Sequence, residues 1–135
     1  MAKQLTLKRR ETFCASHRLY NPELTEEENN ALYQKCARHH GHNYVLIVSV
    51  TGSVQEDKGM IIEFEEIKQA MQQTIQKMDH RHLNDLEAFK NVQTTVENIV
   101  QVIWDLIEHD LPNHIKLKEI ELQETEKNTV ILTAD

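Results

Sequence analysis

Leu5, Leu7, Phe13, Ala15 and His17 share one parity and predict a long, interrupted strand over about residues 3–17. Residues 20–35 open on Asn-Pro and turn acidic, which predicts a loop with a single helical turn. Tyr44–Thr51 is β-branched and apolar and closes on Gly52, as a strand does. Phe64, Ile67, Met71, Ile75 and Met78 then recur at helical spacing, predicting an amphipathic helix over 63–78. Thr94-Thr95-Val96-Glu97 reads as a capping box, and Val96, Val100, Ile103 and Ile107 follow it as one apolar stripe. Ile115 and Leu117 hold one parity and Ile120 and Leu122 the other, which predicts a bulged strand; residues 128–134 make a last one. The order ββααββ predicts an α+β fold, with a four-stranded antiparallel sheet carrying two helices on one face. Its edges and second face still need partners, so a homo-oligomer is expected.

Composition narrows the function classes. The chain has 135 residues, and with no repeat or linker it reads as a single domain over 1–135. A net charge of −7 argues against a non-specific binder of nucleic acid or anionic membranes, which needs a broad basic face. The longest apolar run, Val45-Leu46-Ile47-Val48, is far too short to span a bilayer. The opening MAKQLTLKRRETF lacks the apolar core of a secretory signal, and the two cysteines, Cys14 and Cys36, read as reduced thiols, so the cytoplasm is expected. Eight histidines against three glycines direct the reading toward metal.

The densest chemistry is Cys36-Ala37-Arg38-His39-His40-Gly41-His42-Asn43-Tyr44. His40 and His42 stand two apart at the lip of a strand, so both rings can point the same way, and His17 ends the first strand. If those strands are neighbours, three imidazoles converge, and three neutral histidines around Zn²⁺ leave a fourth position open, the catalytic pattern. The plainer alternative is a His-Gly-His turn with solvated rings. His39 is ambiguous on parity and reads as a neighbour. Cys36, four residues before His40, fits a fourth ligand, a base whose thiol pKa a nearby cation lowers, or an inert buried thiol.

Two further clusters stand out. In Met78-Asp79-His80-Arg81-His82-Leu83-Asn84-Asp85, an Asp beside a His can orient an imidazole for proton transfer, although a charged helix exit gives the same string. Glu124 closes an apolar-patterned strand; such a carboxylate is usually solvated, yet a buried one grips a guanidine-like ring edge through paired N–H groups. Glu97 has a structural explanation as the capping-box acid.

FCASHRL, C-x3-HGHNY, GMIIEF, MDHRHLND, TTVEN and LQETEKN stand in this order along nearly the whole chain. In these strings the sequence resembles the 6-pyruvoyltetrahydropterin synthase / 6-carboxytetrahydropterin synthase family. The resemblance implies a tunnelling fold whose strands close a barrel in trimers, often paired into hexamers, with active sites between subunits. It implies 7,8-dihydroneopterin triphosphate as substrate and one Zn²⁺ per subunit, held by His17, His40 and His42. It also places Cys36 as general base, Asp79 and His80 as a proton-transfer pair, and Glu124, Glu97 and Thr95 around the pterin ring. No redox cofactor is implied, since the reduction is internal to the substrate.

Arg18, Lys35, Arg38 and Arg81 flank these motifs, and at most two are expected at a triphosphate-binding mouth. Glu63 stands where the family often has Asp, and Cys14 where a polar residue is common; Cys14 reads as strand packing. The C-x3-HGH spacing resembles the carboxy-forming enzymes of the queuosine pathway, whereas HRLYNPELTEEENNALYQKC resembles the longer loop of the pyruvoyl enzymes. Because the spacing sets where a base lies relative to the metal, 6-carboxy-5,6,7,8-tetrahydropterin is the expected product. The pyruvoyl product of tetrahydrobiopterin synthesis is the alternative, and a metal- or pterin-binding module without catalysis is the third reading.

Overall fold

The computed structural model describes residues 3–135. Strand β1, Thr6–His17, carries the alternation read above, with Phe13, Ala15 and His17 buried on one face. Helix α1, Glu26–Tyr33, follows, then a 3₁₀ turn at Gln34–Ala37 and strand β2, His40–Thr51. Helix α2 spans Phe64–Ile75 and a two-residue strand β3 spans Arg81–His82. Helix α3, Val96–Asp110, and strands β4, Lys116–Thr125, and β5, Asn128–Thr133, complete the chain.

The sheet order is β3-β1-β2-β4-β5, antiparallel throughout except that β3 runs parallel to β1. The four long strands are the expected ones. Too short to show periodicity, β3 escapes sequence reading, but it pairs Ala15 with Arg81 and Ser16 with His82. The bulge is where the parity change puts it: Ser49 opposes Glu119 and Val50 opposes Leu117, so Lys118 is the extra residue.

Two helix-level expectations change. The 20–35 segment holds a full helix, because Thr25 and Glu28 form a true capping box: each side chain bonds the other's backbone N–H. The second helix is capped by Thr95, not Thr94, and Thr95 accepts from the N–H of Asn98. Glu97 therefore sits one residue too early to close a box. It is exposed, and its structural explanation falls away.

Helices α2 and α3 lie on one face of the sheet and bury Ile67, Met71, Ile99, Ile103 and Ile107 against Leu46, Val48, Ile120 and Leu122. Burying side chains of this kind contributes about 1.5–3 kcal/mol each, which sets the sheet rigidly beneath the helices. On the opposite face of β1, Thr6, Lys8, Arg10 and Thr12 are exposed. Among the described residues no helix is long and apolar enough to cross a membrane.

Candidate metal centre and its surroundings

Register brings the histidines together. His17 pairs with His40 and Ala15 with His42 across β1 and β2, so all three rings project from the helix-covered face at one end of the sheet. Ring centroids are 4.5 Å apart for His17 and His40, 5.2 Å for His17 and His42, and 5.0 Å for His40 and His42. One nitrogen from each lies within 4.8 Å of the others. Between the two β2 histidines stands Gly41, where a Cβ would come within 3.3 Å of the Ala15 carbonyl oxygen. A glycine there lets the strands close.

Backbone carbonyls fix the tautomers. His17 Nδ1 lies 2.7 Å from the Thr94 oxygen, and His40 Nδ1 lies 2.7 Å from the Arg38 oxygen. A carbonyl only accepts, so each Nδ1 carries the proton and each Nε2 presents a lone pair. The Nε2 atoms of His17 and His42 are buried without a hydrogen-bond partner. Orphaned imidazole lone pairs converging on one point are what a Zn²⁺ ion with three histidine ligands requires, and the carbonyl-bound Nδ1 groups are its usual outer support.

Two of the rings, His17 and His42, are also kept neutral. Burial pushes the His17 pKa down to about 4, outweighing the Thr94 bond, which acts the other way; His40 and His42 add like-charge repulsion. Burial likewise lowers His42, against the pull of Glu124. The Glu124 carboxylate lies 3.9 Å from both Nε2 atoms, but with these imidazoles neutral near pH 7 the contacts are not ion pairs. In the metal-free chain the unfolded state protonates His17 below its ordinary value of 6.5, while the folded state holds it neutral to about 4. The unfolded chain therefore binds more protons across that window, and folding stability falls as pH drops through it, by about 2–3 kcal/mol. Urea titrations of metal-free protein from pH 7 to pH 4 are expected to show the decline, and His17→Gln to flatten it.

A set of amides that sequence reading missed holds His17 in place. Asn84 bonds both the N–H and the C=O of Arg18, Gln93 does the same for Tyr20, and the Thr94 hydroxyl donates to the Arg18 carbonyl. Nothing in residue type marks such amides as structural, because each acts on backbone far away in sequence. Tyr44, fully buried, adds an unpartnered hydroxyl, and burial first, then Glu124, pushes its pKa up. Glu124 sits one residue before the end of β4, at the register shift before Thr125.

The other expected residues divide. Cys36 is a free, half-buried thiol in the 3₁₀ turn, and its carbonyl accepts from Leu19, two residues past His17. Thr95 spends its hydroxyl on the helix cap, immediately after the Thr94 carbonyl that orients His17. Arg18 bonds Glu26 and lies 4.2 Å over the Tyr20 ring, so it is already engaged. His39 stacks on His82 at 4.5 Å.

Asp79 and His80 form a pair, but a separate one. Asp79 Oδ1 accepts from the Cys14 N–H at 3.0 Å and lies 3.0 Å from His80 Nδ1. The His80 N–H donates to the Cys14 carbonyl at 2.7 Å, with His80 in the left-handed region at φ 60. A non-glycine residue held there carries strain that the double anchor to β1 sustains. The Cys14 N–H, then His80, hold the Asp79 carboxyl below its ordinary range. Strand alternation turns Cys14 to the face opposite His17, so the pair lies across the sheet from the histidine cluster. Cys14 is thus a partner of this pair, not the packing residue expected.

Known proteins carry the same strands and helices. The family described as "6-pyruvoyl tetrahydropterin synthase" matches residues 6–135. The chain is 43% identical over 133 residues to a 6-pyruvoyl tetrahydrobiopterin synthase of Dictyostelium discoideum, covering 97% of each. It is 38% identical over 132 residues to the human protein of that name, covering 95% of this chain and 90% of the other. A solved structure of Caenorhabditis elegans 6-pyruvoyl tetrahydropterin synthase superposes with a TM-score of 0.88 at 30% identity, covering 98% of this chain and 97% of that one. The fold is the tunnelling-fold unit that the motifs imply, and with a match running from the first strand to the last residue the chain belongs to the 6-pyruvoyl tetrahydropterin synthase family.

Proposed function

We propose that the chain is a zinc-dependent lyase that eliminates triphosphate from 7,8-dihydroneopterin triphosphate and forms 6-pyruvoyl-tetrahydropterin. The observation that carries this is the three-imidazole cluster, with its carbonyl-fixed tautomers and orphaned Nε2 atoms, in a chain alike end to end to proteins named for that product. The spacing of Cys36 to His40 favours the carboxy product, but it is one local interval, whereas the likeness to the pyruvoyl enzymes extends through every element. The pyruvoyl reading is therefore preferred over the expected one.

His17, His40 and His42 hold the ion. When bound, Zn²⁺ supplies Lewis acidity toward the substrate's side-chain hydroxyls, which acidifies the adjacent C–H bonds. Cys36 takes a proton as general base, and Asp79 orients His80 to return one. Glu124, beside the histidines, binds the amino-pyrimidine edge through paired N–H groups, with Thr95 and Glu97 at the rim.

The separation of Asp79–His80 from the histidine cluster supports a site that a second chain completes. Among the described residues, the outer edge of β5 and that of β1 before its pairing with β3 at Ala15 and Ser16 offer the means of assembly, strand against strand, as trimers or paired trimers. We read residues 1–135 as a single pterin-synthase-like domain and, from the two free thiols, place it in the cytoplasm.

Incubation of zinc-loaded protein with the triphosphate, followed by mass spectrometry, tests the product. A pyruvoyl side chain without acetaldehyde is expected. A carboxyl product with acetaldehyde overturns the proposal in favour of the carboxy enzyme.

A further inference from the structure

Outside the three-histidine cluster, a second group of metal-competent atoms stands on the opposite side of β1. Cys14, Asp79 and His80 each bring one ligand atom, and these lie within 4.8 Å of one another. Cys14 and His80 border an open cleft of about 430 Å³ whose lining also includes Ser16, His42 and Asn43. The three are not gathered by chance folding of loose loops. Two backbone bonds tie them: the Cys14 N–H to Asp79 Oδ1 at 3.0 Å, and the His80 N–H to the Cys14 carbonyl at 2.7 Å. The parallel pairing of Ala15 with Arg81 and Ser16 with His82 then locks the register. The nearby His82 ring does not compete, since its Nδ1 bonds the Ser16 hydroxyl and its face stacks on His39.

We propose that Cys14, Asp79 and His80 form a second, inhibitory site for a thiophilic divalent cation such as Zn²⁺. A sulfur, a carboxylate oxygen and an imidazole nitrogen are a donor set that zinc accepts, with bond lengths that put ligands roughly 3.3–3.8 Å apart in a tetrahedron. Side-chain rotations bring the three ligand atoms into that range. The remaining position faces the open cleft and takes water. Binding deprotonates the Cys14 thiol and releases its proton to solvent, so affinity falls as pH falls. A cation held there occupies His80, and it is through His80 that binding stops turnover. This inhibition rests on the proton-transfer role proposed for His80; binding itself does not.

The test starts from protein carrying one zinc per chain. Equilibrium dialysis against additional Zn²⁺ is expected to load a second equivalent on the native chain and none on Cys14→Ser. In a Cys36→Ser background, where Cys14 is the remaining thiol, a second equivalent of Co²⁺ is expected to bring a thiolate-to-cobalt charge-transfer band. Asp79→Asn and His80→Ala should each weaken that band's titration by at least about tenfold. With substrate, the second zinc should lower turnover of the native chain by more than about tenfold, reversibly on chelation, whereas turnover of Cys14→Ser, measured against its own value at one zinc per chain, should not fall further when zinc is added. Second-equivalent binding that survives in Cys14→Ser, or a missing cobalt–thiolate band, overturns the site. A second zinc that binds through Cys14 and leaves turnover unchanged upholds the site and instead removes His80 from the reaction.

Discussion

His40→Ala is expected to strip the metal from the chain and lower turnover by about three orders of magnitude, with the fold intact. The ring is one of three converging on the centre, 4.5 Å from His17 and 5.0 Å from His42, and two imidazoles do not hold zinc at a catalytic site. Losing the metal's polarising effect removes several kcal/mol of stabilisation as charge develops, and each 1.4 kcal/mol is about tenfold in rate. His40 is the ligand to change because it is half-buried at the first residue of β2, whereas His17 is 2% exposed and is gripped by the Thr94 carbonyl. Its removal opens space to solvent rather than a cavity in the core, so against the metal-free native chain the free energy of urea unfolding should move by no more than about 0.5 kcal/mol. Metal content by mass spectrometry, turnover and urea unfolding on one preparation decide the matter. Full metal content in the variant would refute the ligand assignment.

That residue shows how far the sequence could be read. His17, His40 and His42 were accessible because strand alternation and one antiparallel pairing suffice to bring them together; no knowledge of the rest of the fold is needed. The bulge in β4 was accessible for the same reason, as a change of parity inside an apolar run. Helix α1 was not, because its face is weakly apolar and its stability comes from a local box, Thr25 with Glu28, and from Asn29, whose buried amide bonds the Asn21 and Thr25 carbonyls. The reading of Thr94 to Glu97 as a box fails by one residue: the motif tolerates two registers, and tertiary contact chose the other by using the Thr94 carbonyl and hydroxyl to fix the His17 corner. Cys14 was misjudged because its partners come from a two-residue strand that no periodicity announces.

Charge follows the same division between local and long-range information. The net −7 excludes a generic polyanion binder, yet it does not describe the site, where two of the histidines are held neutral by burial and one carboxylate stands beside them. Of the basic residues flanking the motifs, Arg18 is bound to Glu26 and Tyr20, whereas Lys35, Arg38 and Arg81 are exposed.

Two inactive variants are expected to restore activity when assembled together. His80→Ala alone should keep its zinc and lose about 10²–10⁴ in turnover, the usual range for a proton-transfer group. Its Asp79 partner is fixed by the Cys14 N–H on the side of β1 away from the histidine cluster, so the two groups of one chain do not face one substrate. On the proposed reading, a complete site takes its metal ligands from one chain and its Asp–His pair from another. In a hybrid refolded from equal amounts of His40→Ala and His80→Ala chains, about a quarter of the sites combine an intact metal centre with an intact His80, given random symmetric assembly. Turnover of the hybrid should rise to about a quarter of the native value, far above either parent. Zinc content should lie midway between the parents', since the metal centre itself is carried by one chain. A hybrid no more active than its parents would place all the catalytic groups within one chain, and would remove the shared-site reading together with the need for an oligomer.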